Sequence, residues 1–241
     1  QIGPHMKMAE VIHLNYHLLP ILSRFGLHLG FGEKTVEQLC QQQHLDVNFF
    51  LVIVNAYHDK NFFPQRHLKG FPLKLLISYL RKSHEYFLSV KIPHIRQLLK
   101  QLTSGGEITD TEPLRLIHGF FDAYCSELSD HIRREEDKVY PYAFLVEEAF
   151  LAGTPDPQII LQIEGYSMDD YESEHDNVED KLNDLQNIIL KYLPPTLDMN
   201  LSHTLLTELF RLETDLNDHA RIEDKVLVPK VKMMEKALLE K

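Results

Sequence analysis

The chain has little of what anchors a protein outside the cell or in a membrane. Its 241 residues contain only two cysteines, Cys40 and Cys125, too few for a disulfide framework and suited to a reducing compartment. The longest apolar runs, such as Phe49 to Val54, are far too short to span a bilayer. No basic-then-apolar export signal opens the sequence, so a cytoplasmic protein with no membrane contact is expected. Positive charge is also scarce. The 25 Lys and Arg against 36 Asp and Glu give a net charge of -11, and no segment concentrates the basic residues, which argues against nucleic-acid binding. No stretch alternates apolar and polar residues as a half-buried strand would. The opening Gln1-Ile2-Gly3-Pro4-His5-Met6 looks like a protease-site and cloning remnant, and residues 1–7 are set apart on that ground.

What is present is helical punctuation. Residues 8–57 read as a small module of short helices broken at Gly26, Gly30 and Gly32, with Thr35 and Asp46 as N-caps for helices from Val36 and Val47. Residues 58–71, with Pro64 and Gly70, read as a linker. Residues 72–241 then predict four long helices: from Pro72 to about Leu102, from Pro113 past Tyr140, a third reaching Tyr192 before Pro194-Pro195, and a fourth from about Leu201. The stretch from Gly153 to Pro157 is the one long break expected between the second and third.

Each long helix carries a narrow apolar seam of 3–4 steps, as in an antiparallel four-helix bundle. The seams run Leu73, Ile77, Leu80, His84, Leu88; Ile117, Phe121, Tyr124, Leu128, His131, Glu135; Met168, Tyr171, His175, Val178, Leu182, Leu185, Ile189; and Leu205, Leu209, Leu212, Leu216, His219, Glu223, Val226. Every seam is interrupted by a histidine, and two by a glutamate as well. His131 and Glu135, like His219 and Glu223, stand four residues apart, which puts each pair on one helix face a turn apart. Any one of these histidines alone reads better as a core residue with its ring hydrogen-bonded. Six buried polar groups in one layer are costly unless paired, and a two-metal site satisfies all of them at once.

The same phase separates bystanders. His118 falls about 220° round from His131, His203 about 160° from His219, and His94 roughly 80° from His84. Glu136 and Asp224, one step past the paired glutamates, are expected to face solvent, and no spacing partner exists for His13, His17, His28, His44, His58 or His67. Glu85 is a rival ligand to His84, although Lys74, Ser78 and Arg81 mark its face as polar. Nitrogen and oxygen donors without thiolate favour non-haem iron, with manganese or zinc as alternatives. Four histidines and two bridging glutamates leave part of about twelve octahedral positions open. Oxo or hydroxo bridges and a small ligand such as dioxygen, nitric oxide or peroxide would fill the rest.

The doubled His-x-x-x-Glu with a proline following, Pro141 or Pro229, around Glu172-Ser173-Glu174-His175 resembles the hemerythrin-like di-iron proteins for repair of iron centres. The resemblance covers about residues 72–235. Leu18 to Gly26 and Gly32 to Cys40 are similar to that family's small N-terminal domain. The resemblance implies a bridged di-iron site and a stress-response role in restoring damaged iron-sulfur proteins. It implies His84, His131, His175 and His219 as terminal ligands, Glu135 and Glu223 as bridges, and Glu127 and Glu174 as acidic residues on the approach, for which simple hydrogen bonding near the ligands is an equal reading. One departure bears on mechanism. Where that family carries adjacent cysteines, this chain reads Leu29-Gly30-Phe31-Gly32, which puts a thiol-dependent step in doubt.

Overall fold

The structure, a computed structural model, describes residues 1–61, 63, 65–104, 112–153, 157–174 and 178–240, the side chains of 104, 172–174 and 178–180 excepted. Its helices are α1 (Met8–Leu14), α2 (Leu19–Arg24), α3 (Val36–Gln42), α4 (Val47–His58), α5 (Gln65–Gly70), α6 (Leu73–Tyr86), α7 (Ile92–Ser104), α8 (Glu112–Arg134), α9 (Tyr140–Ala152), α10 (Pro157–Gly165), α11 (Met168–Glu174), α12 (Val178–Tyr192), α13 (Met199–Ile222) and α14 (Val228–Leu239). Among the described residues the only extended pairing is a single bridge between Lys7 and Thr35.

The starts follow local chemistry. Thr35 accepts from the Gln38 amide and Gln38 reciprocates, forming a capping box. Asp46 accepts from Phe49 N–H at 2.9 Å and Asp198 from Leu201 N–H at 2.8 Å. Gly153, at φ 75°, takes the left-handed conformation that ends α9. The third long helix departs from expectation. A turn separates α10 from α11, where the Ser167 amide and hydroxyl each donate to Asp170 at 2.8 Å and so start a new helix. The linker also contains α5.

Three long helices are continuous through a π turn: α6 to α7 across Phe87–Lys91, α8 to α9 across Glu135–Val139, and α13 to α14 across Glu223–Leu227. In each, the residue before a proline donates five residues back: Ile92 to Phe87, Tyr140 to Glu135, Val228 to Glu223. The cause is written in the spacing. Pro93, Pro141 and Pro229 lack an N–H, and their rings clash in an α-helix with the carbonyl four back, at Ser89, Asp137 and Lys225. Each of those residues is the centre of its π turn, where the wider coil takes the carbonyl away from the ring. One freed carbonyl, that of Lys225, is taken by Gln65 Nε2 of α5 at 2.5 Å.

The four long helices run antiparallel, as their pairings show: α7 and α12 against α8, α7 and α12 against α13, α6 against α9, and α11 against α14. Their core divides in two. Phe87 with α7, α8, α12 and α13 encloses one cluster, including Ile95, Phe121, Leu128, Leu185, Leu209 and Leu212. The other joins α6, α9, α11 and α14 to the N-terminal module through Ile21, Phe50, Ile53, Leu76, Tyr140 and Val231. Residues 1–7 take part: Ile2 is buried, and its amide and carbonyl pair with the Asn55 side chain at 2.7 and 2.9 Å.

One ion pair fixes the module to the bundle. Arg24, at the end of α2, bonds Asp215 of α13 and reaches Tyr79 Oη at 3.3 Å and Tyr57 Oη at 3.4 Å. Its guanidinium also lies 5.0 Å from the Tyr86 ring centre and 5.2 Å from that of Phe87. Burial works against its charge, yet Asp215, Tyr79 and Tyr57 outweigh burial and hold it protonated. Removing one member of such a buried pair strands the other. Arg24→Ala should therefore lower unfolding free energy by about 3–5 kcal/mol, read by urea denaturation; a loss below about 1 kcal/mol would show that the pair does not hold the module.

Candidate metal centre

Between the two apolar clusters lies a layer of polar groups at the mouths of the π turns. His84, Glu135, His219 and Glu223 are all buried, and one donor atom from each falls within 4.8 Å of the others. The sequence phase explains the convergence, since seams of 3–4 steps on α6, α8 and α13 carry the first half-turns inward to this depth. His84 Nε2 stands 3.0 Å from His219 Nε2 and 3.2 Å from Glu135 Oε2. Glu135 Oε1 stands 3.0 Å from His131 Nε2, so the two oxygens of one carboxylate face two different imidazoles. Glu223 Oε2 lies 3.4 Å from His219 Nε2 and accepts no hydrogen bond.

Each glutamate is held by a phenol. Tyr171 Oη donates to Glu135 Oε1 at 2.8 Å, and Tyr140 Oη donates to Glu223 Oε1 at 2.8 Å. Burial first, and then the nearby carboxylates, push both phenols far above the usual range, which keeps them protonated as donors. The Tyr140 ring also stacks on His84, 5.7 Å between centres and 5° from parallel.

His84 is oriented from behind. Its Nδ1 bonds Glu136 Oε1 at 2.9 Å, while Glu136 Oε2 pairs with Arg81 Nε at 3.0 Å. Burial alone would lower the His84 pKa, but hydrogen bonds to Glu135 and Glu136 and the charge on Glu223 raise it to about 9. The bond from His84 is also the leading cause that lowers Glu136.

The donor set fits a metal. Two buried carboxylates demand positive charge, the imidazole nitrogens and carboxylate oxygens face one another, and one carboxylate oxygen is left without a donor. A cavity of about 10 Å³ adjoins the cluster, walled by Phe87, Leu128, Ile132 and Leu216 and opening on His84, His131, His219 and Glu223. That is space for about one water-sized ligand.

Other expected residues are placed differently. Glu127 is exposed and ion-paired to Lys181. His175 lies outside the described residues, as does the Glu174 side chain. Glu85 is exposed on the face of Lys74, Ser78 and Arg81. His94 and His203 are exposed and His118 is half-buried. Glu136 corrects the sequence reading: it turns to His84 instead of solvent. Tyr140 lies off every seam counted in α-helical steps, because it stands five residues beyond Glu135, a step that shares a face only across a π turn. Leu88 packs half-buried at the edge of the cluster that α7, α8, α12 and α13 enclose, while Phe87, three residues past His84, is fully buried.

Tyr140→Phe keeps the stacked ring and removes only the donor. It should lower the stability of the metal-free protein by about 1–3 kcal/mol in denaturant titration, the cost of an unsatisfied buried acceptor; an unchanged midpoint would mean that Glu223 is satisfied by other means.

None of the curated proteins compared matches this chain. The hemerythrin HHE cation-binding domain, however, matches residues 75–231, a span that begins in α6, ends in α14 and contains all four clustered side chains. No helix among the described residues is long and apolar enough to cross a membrane. A helical bundle with a buried layer of His and Glu donors, matched over that span, belongs to the hemerythrin HHE cation-binding family.

Proposed function

We propose that the chain is a non-haem di-iron protein that supports the repair of iron-sulfur clusters damaged by nitrosative or oxidative stress. Iron delivery and reaction with nitric oxide, dioxygen or peroxide would be its means. The observation that carries this reading is the reach of Glu135, whose two oxygens face His84 and His131 separately, as a carboxylate shared between two ions requires. Glu223 would be the second bridge, and His84, His131, His175 and His219 the terminal ligands. Bound iron would supply one-electron chemistry and Lewis acidity toward a small ligand.

The chain's own groups do the rest. Arg81 and Glu136 fix the His84 ring so that Nε2 faces inward. Tyr140 and Tyr171 hold the carboxylates in register and keep a proton within hydrogen-bond reach of each. The apolar walls of the small cavity limit what enters to ligands of about the size of water. Thiol chemistry does not support the repair role here. Cys40 and Cys125 are buried, and burial pushes each thiol up to about 11.

A second reading, a dioxygen- or nitric-oxide-binding sensor, is favoured by one contact chain. The Phe87 ring lies edge-on to His219 at 5.6 Å, and Arg24 of the N-terminal module lies over Phe87. A change at His219 would therefore reach the module through one ring.

Elemental analysis after anaerobic iron reconstitution should find about two irons per chain. A reproducible value near one, or retention of zinc alone with iron present, would sink the di-iron reading. Glu135→Ala and Glu223→Ala should lose most of the metal, while His118→Ala and His203→Ala should keep it.

The ferrous protein should also gain visible absorption on mixing with nitric oxide or dioxygen. Iron-loaded but not metal-free protein should restore a damaged iron-sulfur enzyme. Failure of that restoration, with a gas-dependent change in residues 8–57, would favour the sensor.

A further inference from the structure

A pocket of about 400 Å³ lies between the Glu135–Val139 π turn with the start of α9 on one side and the α10 to α11 segment on the other. Its size is that of a small-molecule site. It shares no lining residue with the small cavity beside the His and Glu donors, so it is a separate place in the fold.

Two features define what would fit. The first is charge. In a protein whose net charge is -11, no Asp or Glu lines this pocket, and its only charged residues are Arg134 and Lys138. Neither side chain makes an ion pair or a hydrogen bond among the described residues. The acids of the neighbouring turns are engaged elsewhere: Glu135 and Glu136 face His84, Asp169 pairs with Lys232, and Asp170 takes the Ser167 amide and hydroxyl. Arg134 is half-buried, and a guanidinium in that setting takes a carboxylate through two parallel hydrogen bonds. The second feature is the wall. Val139 and Met168 are buried, and Leu145 adds exposed apolar surface. Tyr142 and Tyr171 present rings instead of donors, because their hydroxyls are committed to Glu235 and Glu135.

An anionic head joined to an apolar body is the complement of that lining. We propose that this pocket binds an apolar carboxylic acid as its anion, with the head at Arg134 and Lys138 and the body against Val139, Leu145, Met168 and the two rings. Aliphatic and aromatic acids share this chemistry.

Calorimetric titration of the iron-loaded full chain separates them, with octanoate and phenylacetate as probes and acetate and octanol as controls. One acid or both should bind at a single site, at least about tenfold more tightly than acetate and at least about fivefold more tightly than octanol. Acetate carries the same head to any metal, so the margin over acetate isolates the pocket. Saturation by only one of the two acids names the kind of body. Lys138→Ala and Leu145→Glu, both at exposed positions, should each weaken binding at least about fivefold with an unchanged circular-dichroism melt. No saturable heat from either acid up to about 10 mM, equal affinity for acetate or for octanol, or undiminished binding in both variants would overturn the proposal.

Discussion

Two carboxylates sunk in the middle of a helical bundle set the terms for everything around them. Glu135 and Glu223 are each 1% exposed, and a lone charge at that depth costs many kilocalories unless it is met by opposite charge and by donors. The surroundings answer that demand in ranks. Tyr171 and Tyr140 donate directly, His84, His131 and His219 bring ring nitrogens, and Glu136 with Arg81 steadies the most central ring. Because such a layer cannot be mixed into hydrocarbon, it divides the core, leaving one apolar cluster on either side.

The prolines serve the same layer. A helix wound at 3.6 residues per turn presents one face, and a π turn rotates the residues beyond it. By beginning at Glu135 and Glu223 themselves, two of the π turns let the glutamate and the residue five places on share the interior: Tyr140 in one helix, Val228 in the other. In the first helix the same device begins at Phe87, which packs against His219. The backbone irregularity thus lies where the polar groups converge, as is common for π bulges at functional sites.

Most of the architecture is legible in periodicity and punctuation, because helix caps and 3–4 seams are local signals. Thr35, Asp46 and Gly153 act where their residue types suggest, and His84, Glu135, His219 and Glu223 converge from seams counted in α-helical steps. The count is less complete across the π turns, although Val226 is buried as it predicts. The seam includes Leu88, which packs half-buried, and omits the fully buried Phe87, while Tyr140 and Glu136 emerge only from asking what Pro141 does to the carbonyl of Asp137. The turn at Ser167 is hidden for a different reason, since a Ser and Asp pair competes with helix continuation on a scale too local for a long seam to reveal. The Arg24 pair with Asp215 joins residues far apart in sequence, for which a single chain carries no signal.

The cluster shared by the N-terminal module and the bundle has a consequence for where such a protein can be divided. The span that matches the family opens inside α6, yet α6 packs against the module before it, where the rings of Phe25 and Phe49 meet Tyr79 within one hydrophobic cluster. A cut made at the family boundary would pass through a continuous hydrophobic cluster and wet both of its surfaces. The edge of the family match therefore falls inside a packed cluster and not in a linker. A bundle carried elsewhere without the module would expose that face of α6, unless polar side chains replaced the apolar ones there.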